Sequence, residues 1–343
     1  MTTFTEAEIQ VLIALLELVQ PKETPNNNFY TFYPQTLDQA ATYFRRYRED
    51  WTAAYAILVA KGLLVQGGSA HRLTEQGIAA AQHLRDARPP IWYWYQEYFA
   101  EAPRSPAYAR FCERLYGRYL CQAGFSDMAQ FQALLDTVRL GPNSRALDLG
   151  CGVGLIAEYI SDVTGARVWG LDYSPEAIAQ AQARTREKEH RLSFQLGNLD
   201  DLPYPPRAFD TLIAIDTLYM PNDLDHTLAQ MQELLVPGGQ MALFYQHMLW
   251  SAQESRETLR AEQTPLGQAL RGAGLSFGVQ DFSAATYGLM QRKRQIAEAM
   301  RADFQAEGCS FLYEHLFAES ESSTAPFDPE VCRMSRYLYH VKV

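Results

Sequence analysis

The strongest chemical signal in this 343-residue chain is a strand that runs into a glycine-rich turn, ALDLGCGVG at 146–154. Gly150, Gly152 and Gly154 let the backbone pass close to a ligand, and the following helix offers its N-terminal N–H groups there. Dinucleotide binders place the third glycine, or an alanine, one residue later, where this chain has Leu155. The pattern is GxGxG, with an acid, Asp148, two residues before the first glycine. A second acid, Asp172, follows at the end of VWGLD, 18 residues after Gly154. Ser174, Pro175 and Glu176 then give a cap, a first-turn proline and an acid for the next helix. Cys151 reads as a small packing residue, not a nucleophile. Seven histidines are scattered without ligand spacing, so no metal site is expected.

These residues resemble motif I of the class I S-adenosylmethionine-dependent methyltransferases, and the likeness continues downstream. LSFQLGNLDDLPY resembles the family's third-strand motif, FDTLIAIDTLYMPND its fourth strand and loop, and LLVPGGQMALF the turn before its fifth strand. The resemblance implies an α/β fold with a Rossmann-like, seven-stranded, mostly parallel sheet, and S-adenosylmethionine as cofactor. It implies that Gly150, Cys151, Gly152 and Gly154 wrap the methionine part, with Asp148 beside the amino group. Asp172 would bind the ribose and Tyr173 would lie next to the adenine, with Asn198 and Leu199 at its edge. Many relatives carry Asp at 198, and Asn can still accept from the adenine amino group. Asp216 and Thr217 would border the methionine and the acceptor pocket.

Methyl transfer needs alignment and exclusion of water more than covalent help, and a base only when the acceptor must lose a proton. Specificity should therefore lie around the loop after the fourth strand. That loop, Ile215 to Tyr219, lacks the N/D-P-P-Y/W/F sequence of enzymes that methylate adenine or glutamine nitrogen, and it lacks the Pro-Cys pair of cytosine C5 enzymes. It resembles loops of small-molecule enzymes, so a small-molecule acceptor at nitrogen, oxygen or carbon is expected. Tyr219 is a candidate to orient the acceptor or act as base, or else a hydrophobic wall. His247 is a second candidate base, its neighbours Tyr245 and Gln246 carry similar weight, and Tyr245 is also a candidate substrate or lid contact. Tyr116 and Gln122, ahead of the first strand, are candidate lid contacts, the alternative being helix packing.

Several elements must hold these residues in place. Strand candidates are 145–149, 167–171, 192–196, 211–215, 241–245, 276–282 and 337–343, separated mostly by helices, as in a parallel sheet covered on both faces. Three domains are expected: 1–90, 91–140 and 141–343. In the first, Thr5 with Glu8 and Thr36 with Gln39 give cap spacings. A helix over 50–61, a hairpin across Gly67-Gly68 and a helix capped by Thr74 complete a pattern resembling a winged helix. Residues 91–140 form an aromatic connector, beginning IWYWYQEYF, that either packs an interface or lines a substrate pocket. A helical insertion is expected at 283–335, with one helix over 284–306 and an exposed loop at 319–324.

Composition narrows the function further. Net charge is −10, and residues 1–90 hold eight basic and nine acidic side chains. The helix that would enter a major groove reads EDWTAAYAILVAK, acidic at its start and then apolar, which argues against groove reading. A DNA-binding regulator with a cofactor-sensing domain is the alternative, and a catalytically silent scaffold a third reading that Asp148, the glycines and Asp172 oppose. Winged-helix modules ahead of methyltransferase domains resemble dimerisation domains, so a homodimer is expected. Five cysteines without CxxC spacing suit a reducing compartment. The start shows no signal peptide and no run of about 18 apolar residues marks a membrane span, so a cytoplasmic protein is expected.

Overall fold

The computed structural model describes residues 3–21, 34–68, 70–249, 251, 253–320 and 325–343. Contacts divide the chain into two compact units, one ending at Glu97 and the other beginning at Tyr98.

The first unit holds α1 (Glu6–Val19), α2 (Leu37–Ala41), α3 (Thr52–Ala60), the hairpin β1 (Leu64–Gly67) and β2 (Ala70–Leu73), α4 (Glu75–Ala87) and the start of α5 (Pro90–Glu101). Local chemistry sets these ends. Thr5 and Glu8 form a reciprocal capping box, and Thr36 and Thr74 cap α2 and α4 through their hydroxyls. Leu12, Ile13, Leu16, Phe44, Leu58 and Ala81 form a core that also takes in Tyr93. Two carboxylates buried in α1 are paired, Glu8 with Lys61 at 2.6 Å and Glu17 with Arg85 at 3.0 Å.

The second unit continues with α6 (Pro106–Tyr116) and α7 (Met128–Val138). Then β3 (Arg145–Leu149), α8 (Leu155–Thr164), β4 (Arg167–Asp172), α9 (Pro175–Arg184), β5 (Leu192–Leu196), β6 (Phe209–Ile215), α10 (Leu224–Leu234) and β7 (Leu235–Met248) alternate. The sheet is closed by α11 (Pro265–Gly272), β8 (Phe277–Asp281) and β9 (Met334–Lys342). Its seven strands run in the order β5-β4-β3-β6-β7-β9-β8. Pairs from β5 to β7 are parallel, and β9 lies antiparallel between β7 and β8. This is the Rossmann-like sheet expected from the motifs. The carboxyl ends of β3, β4 and β6 meet at the point where the strand order reverses, which is where such sheets bind ligands.

Two expectations in the 283–335 insertion need correction. The single helix over 284–306 is two, α12 (Ser283–Ala299) and α13 (Arg301–Ala306), because the helical ladder lapses at Met300. Both sides of the break bury apolar side chains, Met290, Met300 and Phe304, while Ile296 is half-buried. Glu319 and Ser320, read as the start of an exposed loop, end α14 (Ser310–Glu319) and are buried. The reason is a buried cation: Lys293 of α12 pairs with Glu319, and His315 approaches it at 3.2 Å. The rest of that run, 321–324, lies outside the described residues.

Candidate active site

The turn after β3 is shaped by its glycines. Gly150, Gly152 and Gly154 have φ of 77°, 53° and 74°. At Gly150 a Cβ would overlap the Thr217 methyl, and at Gly154 it would stand 2.5 Å from the Phe194 ring. Only glycine satisfies both the left-handed backbone and the lack of space. Gly150 and Cys151 donate their N–H groups to Leu171 O at 2.8 and 3.0 Å, which pulls the turn across to the end of β4. Gly154 then begins α8 with no side-chain cap, so its first-turn amides face outward as donors. Cys151 is buried, and burial pushes its thiol well up, so it is not a nucleophile.

Two carboxylates stand beside this turn. Asp172 accepts from Gly152 N through Oδ2 and from Ser174 N through Oδ1, both at 2.9 Å. Ser174 also caps α9, with Pro175 in the first turn. Burial raises the Asp172 carboxyl to about 6, although the N–H groups of Ser174, Gly152 and Tyr173 oppose the shift. Asp148 is 3% exposed, and its Oδ2 has no hydrogen-bond partner among the described residues. Burial and then the nearby Asp172 raise its carboxyl to about 7. A buried carboxylate oxygen without a donor is costly, and a cationic amino group would relieve it. That unpartnered oxygen, with the glycine turn, fits the amino-acid end of S-adenosylmethionine.

Asn198 is exposed, and its side-chain oxygen accepts from Asp200 N at 3.2 Å. Leu199 is buried, and its carbonyl accepts from Thr227 Oγ1 at 3.1 Å. The oxygen expected to meet an adenine amino group is therefore already part of a local turn.

The loop after β6 is brought against the glycine turn. Thr217 Oγ1 donates to Leu149 O at 2.9 Å. Asp216 does not present a free carboxylate. It has φ of 58°, is buried, forms an ion pair with Arg336 of β9, and accepts from Phe125 N at 3.1 Å. The Tyr219 and Tyr245 rings are 5.6 Å apart, both buried. Burial holds the Tyr245 hydroxyl protonated, so it is no base. His247 lies two residues further along β7, on the same face as Tyr245. Its Nε2 meets Thr258 Oγ1 at 3.2 Å, while Nδ1 has no partner among the described residues. Burial lowers its pKa against the opposing pull of Glu254, so the ring is neutral near pH 7, as a base must be.

Tyr116 and Gln122, the candidate lid contacts, are buried and bind backbone groups of the 118–124 stretch. Tyr116 donates to Gly124 O at 2.9 Å. Gln122 folds back on its own segment, accepting from Leu120 N at 2.9 Å and donating to Arg118 O at 3.1 Å. Tyr108 donates to Gln122 O at 2.7 Å and shares a 2.6 Å hydrogen bond with Tyr98. The polar ends of these side chains hold the 118–126 segment in shape. Another aromatic, Phe99, approaches the turn itself: its ring lies 3.0 Å from where a Cβ on Gly152 would be. Sequence reasoning missed Arg336, because a single arginine in a C-terminal strand carries no motif.

A family model described as "Methyltransferase domain" matches residues 146–239. "Methyltransferase GfsG" of Streptomyces halstedii is 34% identical over 126 residues, covering 36% of this chain and 44% of that protein. The "27-O-demethylrifamycin SV methyltransferase" of Amycolatopsis mediterranei is 31% identical over 106 residues, covering 30% of this chain and 39% of that protein. The chain thus spans less than half the length of these curated relatives. Among solved structures, Haemonchus contortus phosphoethanolamine N-methyltransferase 2 in complex with S-adenosyl-L-methionine superposes with a TM-score of 0.58 at 17% identity, covering 72% of this chain and 59% of that one. The strand order, the glycine turn and these likenesses agree: residues 146–239 match a methyltransferase domain, set in a fold similar to that of a methyltransferase solved with S-adenosylmethionine.

Proposed function

We propose that the chain transfers a methyl group from S-adenosylmethionine to a small-molecule acceptor. The observation that carries this reading is the buried, donor-less Asp148 Oδ2 beside a turn of three left-handed glycines. Bound there, the cofactor supplies an electrophilic methyl on a sulfonium, and attack by an acceptor lone pair breaks the S–C bond and leaves S-adenosylhomocysteine. Gly150, Cys151, Gly152 and Gly154 hold the methionine part through backbone groups, and Asp148 takes the amino group. Asp172 faces the ribose, Tyr173 the adenine face, and Asn198 with Leu199 the adenine edge. Asp216 and Thr217 keep the loop after β6 in place, and Tyr219 and Tyr245 wall the acceptor side. Where the acceptor must lose a proton, neutral His247 is the better placed base.

A small acceptor is supported by the acidic chain, by the absence of base-methylating loop sequences and by the named substrate of the rifamycin relative. The helices and two-stranded hairpin of the first unit support the winged-helix reading, and exposed Ile57, Val59 and Val65 support pairing of two copies in a cytoplasmic homodimer. Calorimetry with S-adenosylhomocysteine tests the cofactor, with micromolar binding expected and no binding refuting the reading. Transfer of labelled methyl into a metabolite extract then tests the acceptor class: label recovered only in protein or nucleic acid refutes a small molecule. Light scattering above 39 kDa tests the dimer.

A further inference from the structure

Arg336 is the hub of a buried network that the roles above do not use. It has no exposed surface. Its Nε donates to Gln130 Oε1 at 2.9 Å, and Nη2 donates to Ser126 Oγ at 2.6 Å and to Asp216 Oδ2 at 2.9 Å. Nη1 donates to Asp216 Oδ1, and the backbone N–H donates to Ser283 Oγ at 3.0 Å. The guanidinium lies over the Phe244 ring at 4.8 Å and the Phe125 ring at 5.8 Å. One planar group therefore joins β9, α7, the 118–126 segment and the loop after β6.

The network reaches the cofactor turn through contiguous contacts. Asp216 keeps a left-handed backbone that non-glycine residues adopt at a cost, and the bidentate fork with Arg336 holds it there. The same carboxylate accepts from Phe125 N. Gly124 lies so close that a Cβ on it would be 2.5 Å from Asp216 Oδ2. The next residue, Thr217, bonds to Leu149 O and packs on Gly150. A lysine at 336 could reach one of these partners but not span them, since it lacks the fork.

We propose that Arg336 is a positioning residue for methyl transfer: it fixes Asp216, and through Asp216 both the 118–126 segment and the glycine turn, in the conformation that seats the cofactor. This rests on the methyl-transfer reading. A pair serving stability alone could be replaced by apolar groups without local consequence, so the test must read position.

The experiment uses full-length R336M, R336K and S126A, with S-adenosylhomocysteine as probe in calorimetry and amide hydrogen exchange as the local readout. In R336M, exchange at 124–126 and 216–219 rises about 10-fold or more, while affinity falls about 10- to 100-fold. R336K is intermediate, and S126A shows a smaller change in the same segments. Wild-type affinity in R336M, or a rise spread evenly over β3, β4 and α8, overturns the proposal. If R336M does not fold, S126A and Q130A decide it: local loosening with weaker binding supports it, and unchanged values overturn it. If the wild type binds no S-adenosylhomocysteine, the methyl-transfer reading fails, and the exchange pattern alone decides whether Arg336 positions the turn.

Discussion

Gly150 and Thr217 are packed so tightly that position 150 has no room for a side chain. Thr217 bridges back to Leu149 O at 2.9 Å while its methyl fills the space over Gly150. The turn and the loop after β6 are therefore one mechanical unit, although 67 positions separate the two residues.

Gly150→Ala tests that unit. The substitution adds a Cβ at φ of 77° and overlaps the Thr217 methyl. It should cost about 1–3 kcal/mol of stability and weaken S-adenosylhomocysteine binding at least about 100-fold. Adding Thr217→Ser removes the methyl and keeps the hydroxyl, so the double variant should regain part of both losses. Thermal melting and calorimetry read the two effects. Equal behaviour of the single and double variants would show that the contact does not matter.

Asp172 is a second test, because its two oxygens serve two backbone donors. Asp172→Ala strands Gly152 N and Ser174 N, which should destabilise the domain by about 1–3 kcal/mol. It should also weaken S-adenosylhomocysteine about 10- to 100-fold, since a misplaced turn loses alignment. Asp172→Asn should do nearly as badly, because its amide N–H₂ would face one of those two donors. Unchanged affinity in both variants would refute the ribose assignment.

The Lys293–Glu319 pair predicts an acid-sensitive fold. Burial alone would raise the Glu319 carboxyl, but attraction by His315 and Lys293 outweighs it and brings the group to about 2. A depressed carboxyl contributes stability above its ordinary 4.5 and loses it as pH falls towards about 2. Lys293→Met leaves the carboxylate buried and without its lysine partner, and should cost about 3–5 kcal/mol at pH 7. Lys293→Met with Glu319→Leu should recover most of that loss. Urea unfolding at pH 7 and pH 3 measures it, and a single variant as stable as wild type would show that the pair is not stabilising.

The legible part of this protein was the part written in local periodicity. The strands from Arg145 to Lys342, the caps at Thr5, Thr36 and Thr74, and the glycine turn depend on neighbours a few residues apart. Arg336 was not legible, because its partners Asp216 and Ser126 are 120 and 210 positions away. Glu319 looked like the start of a polar loop for the same reason: only the fold brings Lys293 to it. Tyr116 and Gln122 were legible as residues of note, but the backbone groups they bind were not. Their burial followed from their setting, yet the carbonyls and amides they satisfy belong to an irregular segment with no periodic signature.

Asp148 and Asp172 predict opposite pH trends for folding and for binding. Both carboxyls lie above their ordinary 3.8, at about 7 and about 6. Between about pH 4 and about pH 7 the native state therefore holds more protons than the unfolded chain. Stability should fall as pH rises through that window and level off above it. Asp148→Asn should flatten most of the slope. Binding runs the other way, because the cofactor's ammonium pairs only with ionised Asp148 and must expel its proton below about pH 7. Affinity for S-adenosylhomocysteine should rise from pH 5 to about pH 7 and then plateau. Titrations at pH 6 in buffers of different ionisation enthalpy should count up to about one proton released per ligand. Asp148→Asn should bind weakly and release none. Binding heats independent of buffer in the wild type would remove Asp148 as the partner of the amino group.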